Sequence, residues 1–480
     1  MDVEQIIDSF LQFEYEYKMF SIEIAGIRIW HFIRFQIFYD LVKMFEIDTP
    51  FEPKGVKRNK FKRTFRDFFR EKIVFNQFLA KKKDILILPN GRKFKDGDGY
   101  YRCIYTDLLD KSILQPHYLL DGRSAEGIYA KQRSKNVIYM DYDMFKRITR
   151  KEYIYKSIKK YEIEKNIFLP IEKYYNMRFN TELKRKWLKR INEITCEKRF
   201  FDDYYNYMLH RIKPKVIILT CYYNIQMMYL CEVAKKKRIP VIELQHGAIG
   251  RLHIAYNFHE KMKLPGFPDY IFTYGELDKV KPRFPIEDKR IIPVGFPELE
   301  SNCNKYKKYR SFYKARKTIL FVSQGLPEIA KYAEAMADIL DSKKYRIIFK
   351  LHPKEFGEGK NIYGKRLIHS NIEVYEGYDK TIYEFLAKAD WVVGCYSTVL
   401  YEATAFGIKI AVIKASRYKS MEDIYKNGYG ILVDSEQKLA QEIMEDTFMV
   451  NPDISIFKKN AIENILNGIS KVMKESHSRE

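Results

Sequence analysis

The strongest constraint on this chain is a pattern that occurs twice along it: short apolar runs of strand length that alternate with helical segments. The first series starts at Ile85–Leu88 and the second at residues 319–322, with a polar stretch rich in lysine and tyrosine between them. Runs of this kind between helices are typical of parallel strands that are covered on both faces. We therefore predict an α/β fold with two Rossmann-like, doubly wound domains facing a cleft, and helical additions at the N-terminus.

The predicted strands and domain boundaries follow from this alternation. The strands are placed at residues 85–88, 137–139, 216–219, 241–244, 270–272 and 291–292 in the first series, and at 319–322, 346–351, 372–375, 391–394, 410–413 and 430–433 in the second. The predicted boundaries are 1–83 for a helical, basic segment, 84–299 for an N-terminal Rossmann-like domain with a helical insert, 300–317 for a linker, 318–453 for a C-terminal Rossmann-like domain, and 454–480 for a C-terminal helix and tail.

Composition narrows the class of protein. Apolar residues make up 46% of the 480 residues, which excludes a disordered chain. The longest uncharged stretch, 216–231, is shorter than the roughly 20 residues that a membrane-spanning helix needs, and residues 1–5 lack the pattern of a secretory signal. We therefore expect a cytoplasmic protein. The six cysteines show neither a C-x-x-C pair nor a nearby histidine, which predicts free thiols and no metal site.

The basic charge has two interpretations. The net charge of +23 favours an anionic partner, although codon bias toward lysine would produce a similar excess. Within residues 54–83, phenylalanines recur at helical spacing among lysines and arginines. Such a helix either lies on the inner face of the cell membrane, as a peripheral contact with its anionic surface, or packs its aromatic side on the domain core. No nucleic-acid-binding module accompanies the charge, so no specific nucleic-acid partner is expected.

The first candidate site follows the predicted strand 241–244. The sequence Gln245-His246-Gly247 delivers an imidazole to the carboxyl edge of a parallel sheet, where open α/β sheets bind ligands. A histidine can deprotonate a hydroxyl near neutral pH, or it can hold a loop by hydrogen bonds to backbone. We predict that His246 is a catalytic base that deprotonates the hydroxyl of an acceptor substrate, and that Gln245 contacts this acceptor.

The second candidate site follows strand 346–351 and consists of His352-Pro353-Lys354. The histidine and the lysine are suited to hold a phosphate leaving group and to supply charge or a proton as it departs. Pro353 fixes the direction of the chain just beyond. A structural histidine remains the alternative.

The third candidate site is Ser397-Thr398, after strand 391–394, where N-cap residues open a helix and offer hydroxyls and backbone N–H groups to a phosphate. Ser397 can equally be a helix cap alone. Glu402, about one turn later, is predicted to accept hydrogen bonds from a ribose or sugar hydroxyl. Ser323 and Gly325, in the small-residue loop after strand 319–322, are further candidates for phosphate contact or form an ordinary turn.

These motifs carry a family resemblance over roughly residues 216–433. Leu351-His352-Pro353 followed by Tyr396-Ser397-Thr398 resembles the HP and S-S/T motifs of bacterial sialyltransferases, polysialyltransferases and related capsule transferases. The Gln245-His246-Gly247 step, with the later HP and Ser-Thr motifs, is also similar to the CDP-glycerol glycerophosphotransferases. Both groups are GT-B enzymes.

The resemblance implies transfer without a metal, with His352, Ser397 and Thr398 holding the nucleotide phosphate. It also implies an acid/base residue from the N-terminal domain. In the sialyltransferases this is an acidic residue of a D/E-D-G motif, for which Asp98 is the nearest candidate here. We therefore rank His246 first and Asp98 second as the base. Arg92, after the first strand of that domain, is a candidate to bind an anionic acceptor.

The function expected from the resemblance is that of a glycosyltransferase. It would move a sugar from a nucleotide-activated donor, CMP- or UDP-linked, to a lipid-linked or oligosaccharide acceptor in a growing capsule or lipopolysaccharide. The N-terminal domain would hold the acceptor and the C-terminal domain the donor, with no cofactor. P-loop, dinucleotide-binding and nucleophile-elbow motifs are missing from the sequence. Two alternatives stay open: a polyol-phosphate transferase of the CDP-glycerol or CDP-ribitol type, and a non-catalytic polyanion-binding scaffold with a degenerate GT-B fold.

Overall fold

The computed structural model describes residues 2–47, 80–89, 94–95, 99–121, 134–139, 160–280, 282–306, 315–377, 379–450 and 456–477. The strands are β1 Glu23–Ile24, β2 Ile27–Arg28, β3 Ile85–Leu88, β4 Phe94–Lys95, β5 Tyr101–Arg102, β6 His117–Asp121, β7 Val137–Tyr139, β8 Val216–Thr220, β9 Val241–Leu244, β10 Tyr270–Thr273, β11 Ile291–Pro293, β12 Lys317–Val322, β13 Tyr345–Lys350, β14 Ile372–Tyr375, β15 Trp391–Gly394, β16 Lys409–Ile413 and β17 Gly430–Val433. The α-helices are α1 Val3–Glu16, α2 Trp30–Met44, α3 Asp107–Ser112, α4 Lys160–Ile163, α5 Leu169–Tyr174, α6 Thr181–Ile212, α7 Ile225–Lys236, α8 Glu276–Val280, α9 Pro297–Tyr306, α10 Pro327–Ile339, α11 Gly359–Tyr363, α12 Ile382–Leu386, α13 Thr398–Ala405, α14 Glu422–Lys426, α15 Glu436–Glu445 and α16 Ala461–His477.

The described residues form two compact units. The first contains those of Met1–Ile47, Phe51–Val294 and Ile462–Glu480, and the second contains those of Gly295–Ala461. Each unit has its own parallel sheet and its own apolar core. The prediction of two Rossmann-like, doubly wound domains of the GT-B type is confirmed.

The first unit is built on a parallel sheet with the strand order β11-β10-β9-β8-β3-β6-β7. The chain starts in the middle at β3, proceeds to β6 and β7 on one side, and returns to β8 and its successors on the other. This reversal creates a switch point between β3 and β8, the place where such sheets bind ligands. Strand β8 lies beside β9, so residues that follow these two strands emerge next to each other.

The second unit repeats the plan with the strand order β14-β13-β12-β15-β16-β17, again parallel throughout. This is the strand order of a Rossmann sheet, with the switch point between β12 and β15. The loops after β12, β13 and β15 carry three of the predicted motifs. They therefore leave the same edge of the sheet beside one another.

The N-terminal helices α1 and α2 belong to the core of the first unit. Phe10 of α1 stacks on Trp30 of α2, with ring centroids 5.9 Å apart. Both rings lie in the same apolar cluster as Leu86 of the central strand β3. The basic segment predicted for residues 54–83 falls outside the described residues, except for 80–83.

The C-terminal helix α16 also packs on the first unit, although the whole second unit precedes it in the chain. Ile465 and Ile469 join the cluster on one face of the first sheet. Gly468 lies so close to the ring of Phe272 that an added Cβ would come within 2.6 Å of it. Helix α16 therefore covers part of one face of the first sheet.

The predicted strands are all present, with bounds that are either identical or differ by at most two residues. Strand β6, which begins with a histidine and ends with an aspartate, is present in the structure but was not predicted. Residues 300–306 of the predicted linker belong to helix α9, whose start is marked by Pro297 and by acidic residues in its first turn. Among the described residues, no helix is long and apolar enough to cross a membrane.

Candidate active site

His246 lies two residues beyond β9 and is 4% exposed. Its Nε2 atom is 3.2 Å from the hydroxyl oxygen of Tyr223, which lies three residues beyond the neighbouring strand β8. The parallel pairing of β8 and β9 thus brings the imidazole and the phenol together at the carboxyl edge. This is the position predicted for His246.

Glu243 is the residue of this site that sequence reasoning missed. It lies within β9, is fully buried, and its Oε1 is 3.5 Å from Nδ1 of His246. The same oxygen accepts hydrogen bonds from the backbone N–H of Tyr222 at 3.1 Å and from the hydroxyl of Tyr256 at 2.7 Å. A charged residue inside the apolar run Val241–Leu244 was the available signal, because a buried carboxylate requires polar partners.

The charge around His246 favours its protonated form. Burial lowers the pKa of His246, but Cys221 and Glu243 act in the opposite direction more strongly, and together they raise it to about 9. Cys221 follows β8 with a φ of 63°, in the left-handed region that non-glycine residues rarely adopt. Such local strain is common at functional sites. The imidazole is therefore mostly protonated at neutral pH.

Gln245, predicted to contact the acceptor, bonds to backbone at both ends of its amide. Its Nε2 donates to the carbonyl of Gly247 at 2.9 Å, and its Oε1 accepts from the N–H of Tyr274 at 2.7 Å. In this structure its side chain shapes the loop that carries His246. The predicted residues Asp98 and Arg92 lie outside the described residues.

In the second unit, a buried carboxylate joins the loops after β12 and β13. Glu355 accepts hydrogen bonds from the hydroxyls of Ser323 and Tyr363. The Ser323 oxygen in turn accepts from the backbone N–H of His352 at 2.7 Å, and the Tyr363 oxygen accepts from the N–H of Gly325 at 3.0 Å. The Ser323 hydroxyl and the Gly325 N–H, both predicted to contact phosphate, thus form hydrogen bonds within the protein. Both belong to the network around the buried Glu355 carboxylate.

His352 is half-buried and forms the N-cap of a short 3-10 turn, Pro353–Glu355. Its Nδ1 accepts from the backbone N–H of Lys354 at 3.2 Å, so the neutral ring carries its proton on Nε2. Lys354 is exposed. The loop therefore presents an N–H donor and a cation at the edge predicted to hold phosphate.

Ser397 and Thr398 open helix α13 beyond β15. Ser397 is buried and its hydroxyl oxygen accepts from the N–H of Val399 at 3.3 Å, while Thr398 is exposed. The hydroxyl of Tyr396 donates to the carbonyl of Gln324 at 2.8 Å, which ties this loop to the loop after β12. Both interpretations of Ser397 are compatible, since a capped helix start still directs backbone N–H groups outward.

Glu402 is half-buried on α13, next to Tyr383 of α12 and Glu298 of α9. Burial raises the pKa of the Glu402 carboxyl to about 7, with a further rise from Glu298 and a decrease from the Tyr383 hydroxyl. At neutral pH a substantial fraction of this carboxyl is protonated. It can then donate a hydrogen bond as well as accept one.

The sequence profile of the family "Alpha-2,8-polysialyltransferase (POLYST)" matches residues 129–414, more than half of the chain. The chain belongs to this polysialyltransferase family. His246, His352, Ser397, Thr398 and Glu402 fall within the matched residues of this polysialyltransferase-family protein, whereas Asp98 and Arg92 fall outside them.

Other similarities are more distant. An uncharacterized protein of Methanocaldococcus jannaschii, MJ1060, is 26% identical over 293 residues, which cover 53% of this chain and 51% of that protein. The polysialyltransferase-family chain thus spans about half the length of the curated relative that it matches. Solved structures that resemble it include the UDP-GlcNAc 2-epimerase of the same archaeon (TM-score 0.46, 13% identity, 81% and 99% of the two chains) and MurG of Acinetobacter baumannii (TM-score 0.47, 11% identity, 81% and 99%). A variant of the wall teichoic acid polymerase TagF is also similar (TM-score 0.42, 12% identity, 93% and 98%).

Proposed function

We propose that this protein transfers a sialic acid from a CMP-linked donor to a growing bacterial surface polysaccharide, a capsule or a lipopolysaccharide, without a metal ion. The observation that carries the proposal is the match to the polysialyltransferase family over residues that include both histidine motifs. In this proposal the second unit binds the donor and the first binds the acceptor. The acceptor is a glycan that is lipid-linked at the inner face of the membrane, with which the protein associates peripherally.

The donor phosphate is held by the loops after β13 and β15. The Nε2–H of His352 and the backbone N–H groups at the start of α13 stabilise the negative charge that develops on the departing phosphate. Lys354 and the hydroxyls of Ser397 and Thr398 add charge and further donors. The leaving group is CMP, which departs as an anion.

The acceptor hydroxyl is activated by His246. In the transfer step the acceptor oxygen bonds to the anomeric carbon, the bond from that carbon to the phosphate oxygen breaks, and Nε2 of His246 takes the hydroxyl proton. The Glu243 carboxylate, whose Oε1 lies 3.5 Å from Nδ1, compensates the positive charge that the ring gains, as a carboxylate does when a histidine acts as a base. The raised pKa of His246 means that the base form becomes abundant only toward pH 9. Asp98 is the second candidate for this role.

Transfer of a polyol phosphate is the second candidate function, and the Gln245-His246-Gly247 step favours it. In that reaction the same base would deprotonate a hydroxyl that attacks phosphorus instead of carbon. The product would then contain one phosphorus atom for each unit added. Phosphorus analysis of the product separates the two reactions.

The proposal is tested by a thermal-shift and transfer screen of the full chain against CMP-, UDP-, GDP- and CDP-linked donors, with His352→Ala as the matched variant. We expect CMP-sialic acid alone to raise Tm, and the rise to disappear in His352→Ala. Stabilisation by a CDP-linked polyol would favour the second function. A folded protein that responds to none of the donors would contradict the proposal and support the scaffold alternative.

A further inference from the structure

A buried ion pair joins the two N-terminal helices. Arg34 of α2 and Glu14 of α1 are each 2% exposed. The Nε and Nη2 groups of Arg34 donate to the two carboxylate oxygens of Glu14 at 2.6 and 2.8 Å, and the indole N–H of Trp30 donates to the same carboxylate at 2.6 Å. An ion pair this deeply buried persists only when its remaining hydrogen-bonding groups also find partners.

The partners that complete this pair lie on the chain segment that follows the His246 loop. Nη1 of Arg34 donates to the carbonyl of Ile254 at 2.7 Å, and Nη2 donates to the carbonyl of Asn257 at 2.9 Å. These carbonyls belong to the first residue of the 3-10 turn Ile254–Tyr256 and to the residue that follows it. One planar guanidinium thus clamps α1, α2 and this turn together, a geometry that an ammonium group does not reproduce.

The turn continues the connection to His246. The hydroxyl of Tyr222 donates to the carbonyl of Ala255 in the middle of the turn. From the same turn, the Tyr256 hydroxyl donates to Oε1 of Glu243 at 2.7 Å, and that oxygen lies 3.5 Å from Nδ1 of His246. The orientation of Glu243 therefore depends on where the turn holds the phenol of Tyr256.

We infer that Arg34 is a positioning residue for His246: together with Glu14 it fixes the turn 254–256, whose Tyr256 aims the Glu243 carboxylate at the imidazole. This inference rests on the proposed function of His246. It assigns a role in the reaction to two helices that lie before the residues matched by the family profile. For histidines that bind metals, removing an outer partner that orients the ring typically costs about 10- to 100-fold in affinity or activity. Arg34 acts on His246 through the turn, Tyr256 and Glu243, so we expect an effect at the lower end of that range.

The test separates positioning from stability with three variants of the full chain. Arg34→Lys keeps the charge but loses the fork, and Tyr256→Phe removes only the hydroxyl that reaches Glu243. Lys198→Gln is the matched control, because Lys198 forms a buried ion pair with Glu232 that links α6 and α7 in the same unit. For each variant we would measure Tm, kcat, KM for the donor, and the titration of the His246 ring by NMR.

We expect Arg34→Lys to lower kcat by about tenfold with the donor KM within about twofold, since the base is displaced and the donor loops are not. The pKa of His246 should fall by roughly half a unit or more, because Glu243 then compensates the imidazolium less well. Tyr256→Phe should produce the same two changes to at least the same extent, because its hydroxyl is the link between the turn and Glu243. Lys198→Gln should lower Tm without either change.

Two results would overturn the inference. The first is an Arg34→Lys protein with a lower Tm but with the kcat and the His246 titration of the wild type, which would make the pair purely structural. The second is a Tyr256→Phe protein with an unchanged titration, which would break the connection even if Arg34→Lys failed to fold. A fully active His246→Ala protein would instead refute the proposed base, and the NMR titration would still report on positioning.

Discussion

The two sheets carry a histidine at comparable positions, just beyond a strand, yet the surroundings of the two side chains differ. His246 is buried beside a carboxylate and a thiol, and its pKa is raised to about 9. His352 is half-buried in a network of hydroxyls and backbone N–H groups, with its Nδ1 occupied by Lys354 N–H. In the proposed mechanism this difference corresponds to a division of labour, in which the first histidine exchanges a proton and the second offers a fixed N–H donor to an anion.

The largest effect is expected from replacing His246, because this substitution separates proton transfer from binding of the donor substrate. Replacing His246 with Gln removes the proton acceptor, so we expect kcat to fall by about 100-fold or more while stabilisation by the donor is unchanged. His352→Ala should instead act mainly on donor binding and weaken it. Single-turnover transfer and donor-dependent Tm shifts, measured on both variants, check this. If His246→Gln abolished the donor response, the division of labour would be wrong.

The dependence of kcat/KM on pH tests the raised pKa of His246. A base must be unprotonated, so with a raised pKa the value of kcat/KM should rise with pH, reach half its maximum near pH 9 and level off only above that. Cys221→Ser removes a group that raises the pKa of His246, so the rise should move to lower pH and activity at pH 7 should increase by up to about tenfold. A pH–rate profile of both proteins measures this. A profile that falls across pH 7 to 9 would show that the protonated ring is the active form.

The hydroxyl network of the second unit should respond as a structural unit. Glu355→Gln replaces a carboxylate that accepts hydrogen bonds from two hydroxyls with an amide that also donates them. We therefore expect the free energy of unfolding to fall by about 1–3 kcal/mol and the nucleotide-linked donor substrate to bind less tightly. Urea denaturation and donor titration give both values. The exposed Glu328 on α10 provides the control, since Glu328→Gln should stay within about 0.5 kcal/mol. Equal effects of the two substitutions would show that the Glu355 carboxylate has no special structural role.

The smallest expected effect concerns a third histidine, to which the proposed function assigns no role in transfer. His117 begins β6, and its Nε2 lies 2.8 Å from Asp110, whose hydrogen bond raises the pKa of His117. Because the raised pKa belongs to the folded state, this stabilisation is present below the unfolded pKa and is lost as pH rises through the folded value. We expect Asp110→Asn to remove about 1 kcal/mol of stability at pH 6 and less at pH 8, with kcat unchanged. Urea denaturation at both pH values measures it, and a loss of kcat would contradict the structural assignment.

The sequence was sufficient for the fold and for the location of the motifs. Apolar runs such as Ile85–Leu88 predict parallel strands well, because burial on both faces leaves a continuous local signal. The edge of the sheet at which a loop emerges is also predictable from local sequence, because the loop after each parallel strand leaves at the same edge. This is why His246, His352 and Ser397 were placed correctly after their strands.

The contacts that determine the burial, orientation and charge of those residues could not be predicted from the sequence. Arg34 is 220 residues from Ile254, and no periodicity connects them. The positive φ of Cys221 has no signal in its residue type, since glycine would be the expected residue there. Likewise, the small residues of the loop after β12 predict a turn, but not that Ser323 hydrogen-bonds Glu355 32 residues later.

The return of α16 to the first unit has a consequence for the order in which the protein is made. Synthesis proceeds from the N-terminus, so the first sheet leaves the ribosome long before the helix that covers one of its faces. Until residues 461–477 have emerged, Phe272 and its neighbours on that face lack their final apolar partners. The half of the protein that is started first is thus completed last, after the entire second unit has been synthesised.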